Sequence, residues 1–294
     1  MNIGKKIKQL RLRRQMTQNE LAGEQVSRNM LSLIENGKAV PSLQTLEAFA
    51  ERLKVTPAFL LAEREEERVL LKQQTMKDVR LAYSGRNFRI AADLCRKLYD
   101  MGMAKDDETD LILAECLFEN ARESMLAGDV REACRLFDDM VYYATRTVFY
   151  TEHLIGAAKL YFSYFNLLSP SLVSEHLDET SVSEVLAFPT GDVFCRYIRA
   201  FLTEEEALIL MPSDPSYSRL LAAHIRARAK MRGGEAESAM EELSDILRSE
   251  DVLPEVLMYH VFGDTEACCK AADRMEKARL YQDLRVSQFE KLMS

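Results

Sequence analysis

Four alanines, Ala91, Ala133, Ala239 and Ala278, stand at the same place behind a turn, and this recurrence constrains the fold more than any other feature of the chain. GRNFRIAADL, GDVREACRL, GEAESAMEEL and DRMEKARLY share a turn, an apolar or small residue, two spacers and then the alanine. Two antiparallel helices joined by a tight turn need a small side chain where they cross closely, and Gly, Asn or Asp in the turn itself. The alanines lie 42, 106 and 39 residues apart. The long interval is about three units of 35, so two degenerate units are expected to fill it. Asp129 with Glu132, and Asp273 with Glu276, have the spacing of helix caps.

The seven prolines, at 41, 57, 170, 189, 212, 215 and 254, fall where helical patterns start or stop, and no period-two run competes. The expected class is all-α. EREEER, residues 63 to 68, lacks Gly and Pro and should continue helically into VLLKQQTMKDVRLAY. A boundary near residue 62 therefore separates a head, residues 1–61, from a helical-repeat body, residues 62–294.

Charge divides along the same line. Residues 1–61 carry ten Lys and Arg against five Glu, a net of +5, so the body carries −13 of the total of −8. Six of the cations lie in KKIKQLRLRR, which suits contact with phosphates. No apolar run approaches the roughly 20 residues of a membrane span, and MNIGKKIKQL has no signal-peptide core, so a cytoplasmic location is expected. The six cysteines, Cys95, Cys116, Cys134, Cys195, Cys268 and Cys269, sit in apolar helical patterns without zinc-type pairing and read as buried thiols. His153, His176, His224 and His260 are isolated in sequence, so neither metal nor cofactor is expected. The chain has no Walker loop, HExxH or G-x-S-x-G elbow, and no enzyme is expected.

The head parses into five short helices. Ile3, Ile7 and Leu10 share a face of the first. Thr17 caps the second, with Glu20 completing a capping box ahead of Leu21 and Ala22. Ser27 caps the third, whose buried stripe is Leu31, Ile34 and part of Met30, and Gly37 ends it in a left-handed conformation. Leu43, Leu46, Ala50 and Leu53 face inward from the fourth, and the fifth starts at Thr56 with Pro57 in its first turn. A capped helix, a tight turn and a short helix beginning Ser-Arg-Asn have the geometry of a helix-turn-helix.

MTQNELAGEQVSRNMLSLIENGKAVPSLQTLEAFAERL closely resembles the Cro- and lambda-repressor-like helix-turn-helix of the XRE family, through TQ, LA, VS, IENG and PSLxTL. The turn departs from the pattern in its short GEQ, with Gln25 where Gly is frequent. The repeats look like a tetratricopeptide array, although without any Trp. Over its whole length the chain is similar to bacterial regulators that sense peptide pheromones.

Arg pairs with guanine and Asn with adenine in bidentate fashion, so Arg28 and Asn29 are the expected base readers. Ser27 and Ser32 suit a base or a phosphate, and exposed Leu33 suits a thymine methyl. The resemblance implies phosphate contacts from Gln18, Asn36 and Lys38. In the body, YYATRTVFYTEHLIGAAKLYFSYFNLL holds eight aromatics, and its second half is apolar nearly all round the helix. Packing between repeats accounts for this. The alternative is that Tyr161 and Tyr164 line a channel for an extended peptide, with the amides of Asn120 and Asn166 on its backbone. Two readings follow: a homodimeric transcription regulator binding a near-palindromic double-stranded operator and answering to a peptide or protein ligand, or an interaction scaffold whose repeats recruit a protein.

Overall fold

The computed structural model describes residues 3–24, 26–61, 64–103, 106–177, 191–251 and 253–294. The described residues are helical throughout their regular structure. The chain divides into two compact units, Met1–Leu81 with Lys97–Met103, and Ala82–Arg96 with Ala104–Ser294.

The head contains α1 (Ile3–Arg13), α2 (Gln18–Ala22), α3 (Arg28–Glu35), α4 (Leu43–Arg52) and α5 (Pro57–Leu61). Their ends follow the expected signals. Thr17 and Glu20 form the reciprocal capping box of α2, Ser27 Oγ accepts from Met30 N–H at 3.2 Å, and Ser42 and Thr56 cap α4 and α5 in the same way. Each such cap stabilises its helix by about 1 kcal/mol. Gly37, at φ 71°, closes α3: its N–H donates to Ile34 O at 3.0 Å while Lys38 N–H donates to Leu33 O at 2.8 Å. The turn residue Gln25 lies outside the described residues.

Ile7, Leu21, Ala22, Leu31, Ile34, Leu46, Phe49, Ala50, Leu53 and Leu60 form the head's core, with Ile3 and Leu10 packed half-buried against it. One expectation is corrected: Leu43 is 67% exposed, because the inward stripe of α4 runs through Leu46, Phe49, Ala50 and Leu53, and Leu43 sits a turn ahead of it. Met30 is 44% exposed and so only partly covered, while Leu31, Ile34 and Glu35 occupy the buried face of α3.

Beyond α5, α6 (Arg64–Ser84) is helical from Arg64 onward and belongs as far as Leu81 to the first compact unit, so the division falls later than the expected boundary near residue 62; residues 62 and 63 lie outside the described residues. It is followed by α7 (Phe88–Asp100), α8 (Asp107–Ala127), α9 (Val130–Ala144), α10 (Glu152–Leu168), α11 (Val193–Thr203), α12 (Ser218–Arg232), α13 (Ala236–Arg248), α14 (Glu255–Ala271) and α15 (Met275–Leu292). The four turns found in the sequence share one backbone conformation. Arg86, Gly128, Gly234 and Asp273 have positive φ (57°, 90°, 78° and 55°), each five residues before its alanine. The following N–H closes the preceding helix in every case: Asn87 to Ala82 O, Asp129 to Ser124 O, Glu235 to Lys230 O and Arg274 to Cys269 O, all at 2.8–2.9 Å. The four alanines are buried to 1% exposure or less. The body is therefore an array of helical repeats.

Asp129 caps α9 by accepting from Glu132 N–H at 3.1 Å. Asp273 does not cap α15, because it occupies the left-handed position of the turn and Arg274 precedes the first helical residue without a side-chain bond. Between Ala133 and Ala239 the described residues hold α10, α11 and α12; the expectation of two degenerate units falls partly on residues 178–190, outside the described residues.

All six cysteines are free and buried. The isolation of the histidines does not survive folding. His224, fully buried, shares Nδ1 with the Tyr197 hydroxyl at 2.8 Å and Nε2 with Asp264 at 2.9 Å, and Arg228 donates to the same carboxylate at 3.1 Å. Partners 40 residues apart in sequence meet because α11, α12 and α14 pack together.

Candidate DNA-contacting surface

Recognition of a duplex requires a helix held rigidly by its back, with donors and acceptors on its front. The back of α3 is Leu31 and Ile34 at 0% and 1% exposure. Gly4 permits the closest approach of α1 to that back, since a Cβ there would lie 1.7 Å from Ile34 O. Glu35, 2% exposed, is the polar anchor. It accepts from Arg11 Nε at 2.6 Å, Arg11 Nη2 at 3.0 Å and Gln18 Nε2 at 2.9 Å, tying α1, α2 and α3 to one carboxylate. Burial alone would raise this carboxyl, but the bonds from Arg11 and Gln18 and the charges of Arg11 and Lys8 outweigh it and hold the group below its ordinary range. The same bond is the main cause that raises the Arg11 guanidinium.

α2 is fixed from the other side. Arg52 Nη1 donates to Leu21 O at 2.9 Å and Ala22 O at 2.8 Å, satisfying the last carbonyls of a five-residue helix. Gly23, at φ 55°, makes room for that guanidinium, which a Cβ would meet at 2.3 Å.

The front of α3 presents Asn29, Leu33 and Asn36, spaced i, i+4 and i+7 opposite the buried stripe. All three are exposed, Leu33 to 43%. Arg28 is exposed at the first helical position, and the first turn contains no acid. A cation at a helix N-terminus costs up to about 1 kcal/mol against the macrodipole, so this placement serves something other than the helix. Ser32 is half-buried, on the flank between the front and Glu35.

The expected phosphate contacts are placed as follows. Ser27 uses its oxygen on the cap and keeps its O–H. Gln18 is half-buried and gives one amide N–H to Glu35, leaving the second. Asn36 donates to Ser32 O at 2.8 Å and is otherwise exposed, as is Lys38. Lys6 and Arg11, counted among the cations suited to phosphate, are buried instead: Lys6 donates to Phe59 O at 2.5 Å, and Arg11 holds Glu35. The ion pair between Arg11 and Glu35 carries no local signal in sequence, since its members lie 24 residues apart.

The four candidate peptide-binding residues are not brought together on an open face. Tyr161 and Tyr164 are 1% and 0% exposed, which corrects their placement on a channel wall. Tyr161 stacks on Phe137 at 4.2 Å between centroids, and Tyr164 meets Phe194 and Phe201 edge-on at about 6 Å, so both fill the core between helices. Asn120 on α8 is 8% exposed and its Oδ1 has no partner among the described residues, whereas Asn166 on α10 is exposed.

The helix-turn-helix family model matches residues 7–60. No curated protein sequence matches the chain. The crystal structure of Bacillus thuringiensis PlcR in complex with the peptide PapR7 and DNA is similar over 99% of this chain and 98% of that chain, at 13% identity and a TM-score of 0.24. The caps, the anchored α3 and the family match agree over the same residues, and the N-terminal part of the chain is an XRE-type helix-turn-helix domain.

Proposed function

We propose that the protein is a sequence-specific transcription regulator whose head, residues 1–61, lays α3 in the major groove while the body, residues 62–294, pairs two copies and answers to a peptide or protein ligand. The observation that carries the reading is the exposed side of α3: Asn29 and Leu33 on its front and Arg28 in its first turn, on a helix whose back is fixed by Glu35, Leu31 and Ile34. Arg28 reads guanine and Asn29 adenine by paired hydrogen bonds, and Leu33 meets a thymine methyl. Ser27, Gln18, Asn36 and Lys38 hold phosphates, with Ser32 at the edge of the groove. One such helix covers only a few base pairs, so a second copy about one DNA turn away is needed for a useful operator, and the operator is near-palindromic. The chain acts without catalysis, in the cytoplasm.

Selection of bound duplexes from a random pool with the purified full-length protein tests this. A two-half-site motif is expected, together with a dimer in sedimentation on the selected DNA. A pool that gains no motif, or a monomer on the motif, refutes it.

A further inference from the structure

A cleft of about 330 Å³ lies between the end of α10 and the pair α14 and α15, with Leu168, Val286 and Phe289 as apolar walls and Gln282 at its rim. Its polar feature is Arg285, which lies across α14 along the stripe Tyr259, Gly263 and Glu266. The guanidinium is 4.9 Å from the centroid of the Tyr259 ring, and Nη2 donates to the Tyr259 hydroxyl at 3.1 Å. Gly263 leaves the space: a Cβ there would stand 3.2–3.3 Å from the Nε, Cδ and Cζ of Arg285. Glu266, 7% exposed, is 3.7 Å from Arg285 through one oxygen and accepts from Lys270 at 2.5 Å through the other. One carboxylate thus serves two cations, leaving a local excess of positive charge in a body that is acidic overall. The side chain of Arg285 is 43% exposed, so its charge is accessible from the cleft.

We propose that this cleft holds the last residue of a peptide. Its free carboxylate sits on Arg285, its apolar side chain lies against Leu168, Val286 and Phe289, and the Gln282 amide meets the preceding peptide group. An arginine pre-oriented by an aromatic ring and its hydroxyl matches a carboxylate with two parallel hydrogen bonds. The volume is near the lower end for ligand pockets and suits one residue with its carboxylate. A free amino acid would bring an ammonium group into a positive site, whereas a peptide bond brings a donor and an acceptor that an amide side chain satisfies. Exposed Gln282 and Val286 leave the α15 side open for the rest of the chain. The inference rests on the reading that the body answers to a peptide.

Calorimetry on the full-length protein, with the N-acetylated tripeptide alanyl-alanyl-leucine, its C-terminal amide and N-acetyl-leucine, tests it. The acid is expected to bind at least about tenfold more tightly than the amide, as the loss of a charge-assisted pair implies. In Arg285→Gln the two forms should bind alike, and Arg285→Lys should restore part of the preference. Equal binding of acid and amide to the unaltered chain, no binding of either, or undiminished preference in a folded Arg285→Gln protein overturns the inference. N-acetyl-leucine binding as tightly as the tripeptide overturns the assignment to a peptide. The DNA selection uses no peptide, so a motif recovered while every probe fails sinks this inference alone, and probes that bind a protein selecting no motif sink the regulator reading.

Discussion

Replacing Glu35 by alanine removes the acceptor of three hydrogen bonds and leaves the Arg11 guanidinium, 7% exposed, without its counter-charge. Breaking a buried pair from one side costs about 3–5 kcal/mol, because the remaining charge stays desolvated. One acceptor is left for relief: Arg11 Nη1 keeps donating to Met16 O at 2.8 Å, so the lower half of that range is expected. Replacing both members, in Arg11→Met with Glu35→Leu, removes the stranded charge and should recover most of the loss. Amide hydrogen exchange of Leu31, Ile34 and Glu35 backbone groups in the full-length protein reads the effect directly. A loss of about 3 kcal/mol accelerates exchange by about two decades when exchange proceeds through unfolding of the head. Sequence-specific DNA binding should weaken in parallel. The reasoning fails if Glu35→Ala costs under about 1 kcal/mol, or if the double variant is less stable than Glu35→Ala alone.

Three further outcomes are expected. Gly4→Ala forces α1 away from the Ile34 carbonyl and should cost at least about 1–3 kcal/mol in denaturant unfolding followed at the head; an unchanged midpoint would contradict the close approach. Arg28→Ala should erase the base preference at one position per half-site, about 1–3 kcal/mol, while Lys38→Ala weakens all sequences alike and lowers the salt slope by about 1, as measured by titration at several salt concentrations. The Glu35 carboxyl is held low in the folded head, so its contribution is complete above its ordinary value of 4.5 and disappears as pH falls through the folded value; Glu35→Gln should flatten the acid side of the head's stability profile, seen in exchange measured across pH.

The sequence carried the elements whose causes are local. Thr17, Ser27 and Gly37 announce helix ends because a cap is made within three or four residues of its own position, and each sits where expected. The alanine register was legible for a similar reason, since a left-handed turn residue and a close helix crossing recur at fixed spacing. What the sequence hid depends on distant partners. Lys6 and Arg11 look like the other cations of KKIKQLRLRR until α5 supplies the Phe59 carbonyl and α3 the Glu35 carboxylate. His224 looks solitary until α14 brings Asp264 to it. Tyr161 and Tyr164 fit a ligand wall and a core equally well on periodicity alone, and only the rings of Phe137, Phe194 and Phe201 decide between them.

The charge of the head shows the same division between count and placement. Of its ten cations, Lys6 and Arg11 are buried and half-buried Arg52 is spent on the carbonyls of α2, while Glu35 is neutralised inside. Lys5, Lys8, Arg13, Arg14, Arg28, Lys38 and Lys54 remain exposed, against exposed Glu20, Glu24, Glu47 and Glu51. The surface excess is therefore +3, smaller than the +5 of the sequence. A duplex sees the cations within a Debye length of the docked face, about 8 Å at physiological salt, so Arg28 at the tip of α3 and Lys38 just beyond its end weigh more than the total does. Nonspecific attraction should accordingly be weak for one head. On the proposed reading, affinity should then depend on base contacts of Arg28 and Asn29 and on the joining of two heads, and the body should matter to DNA binding although it carries the acidic charge.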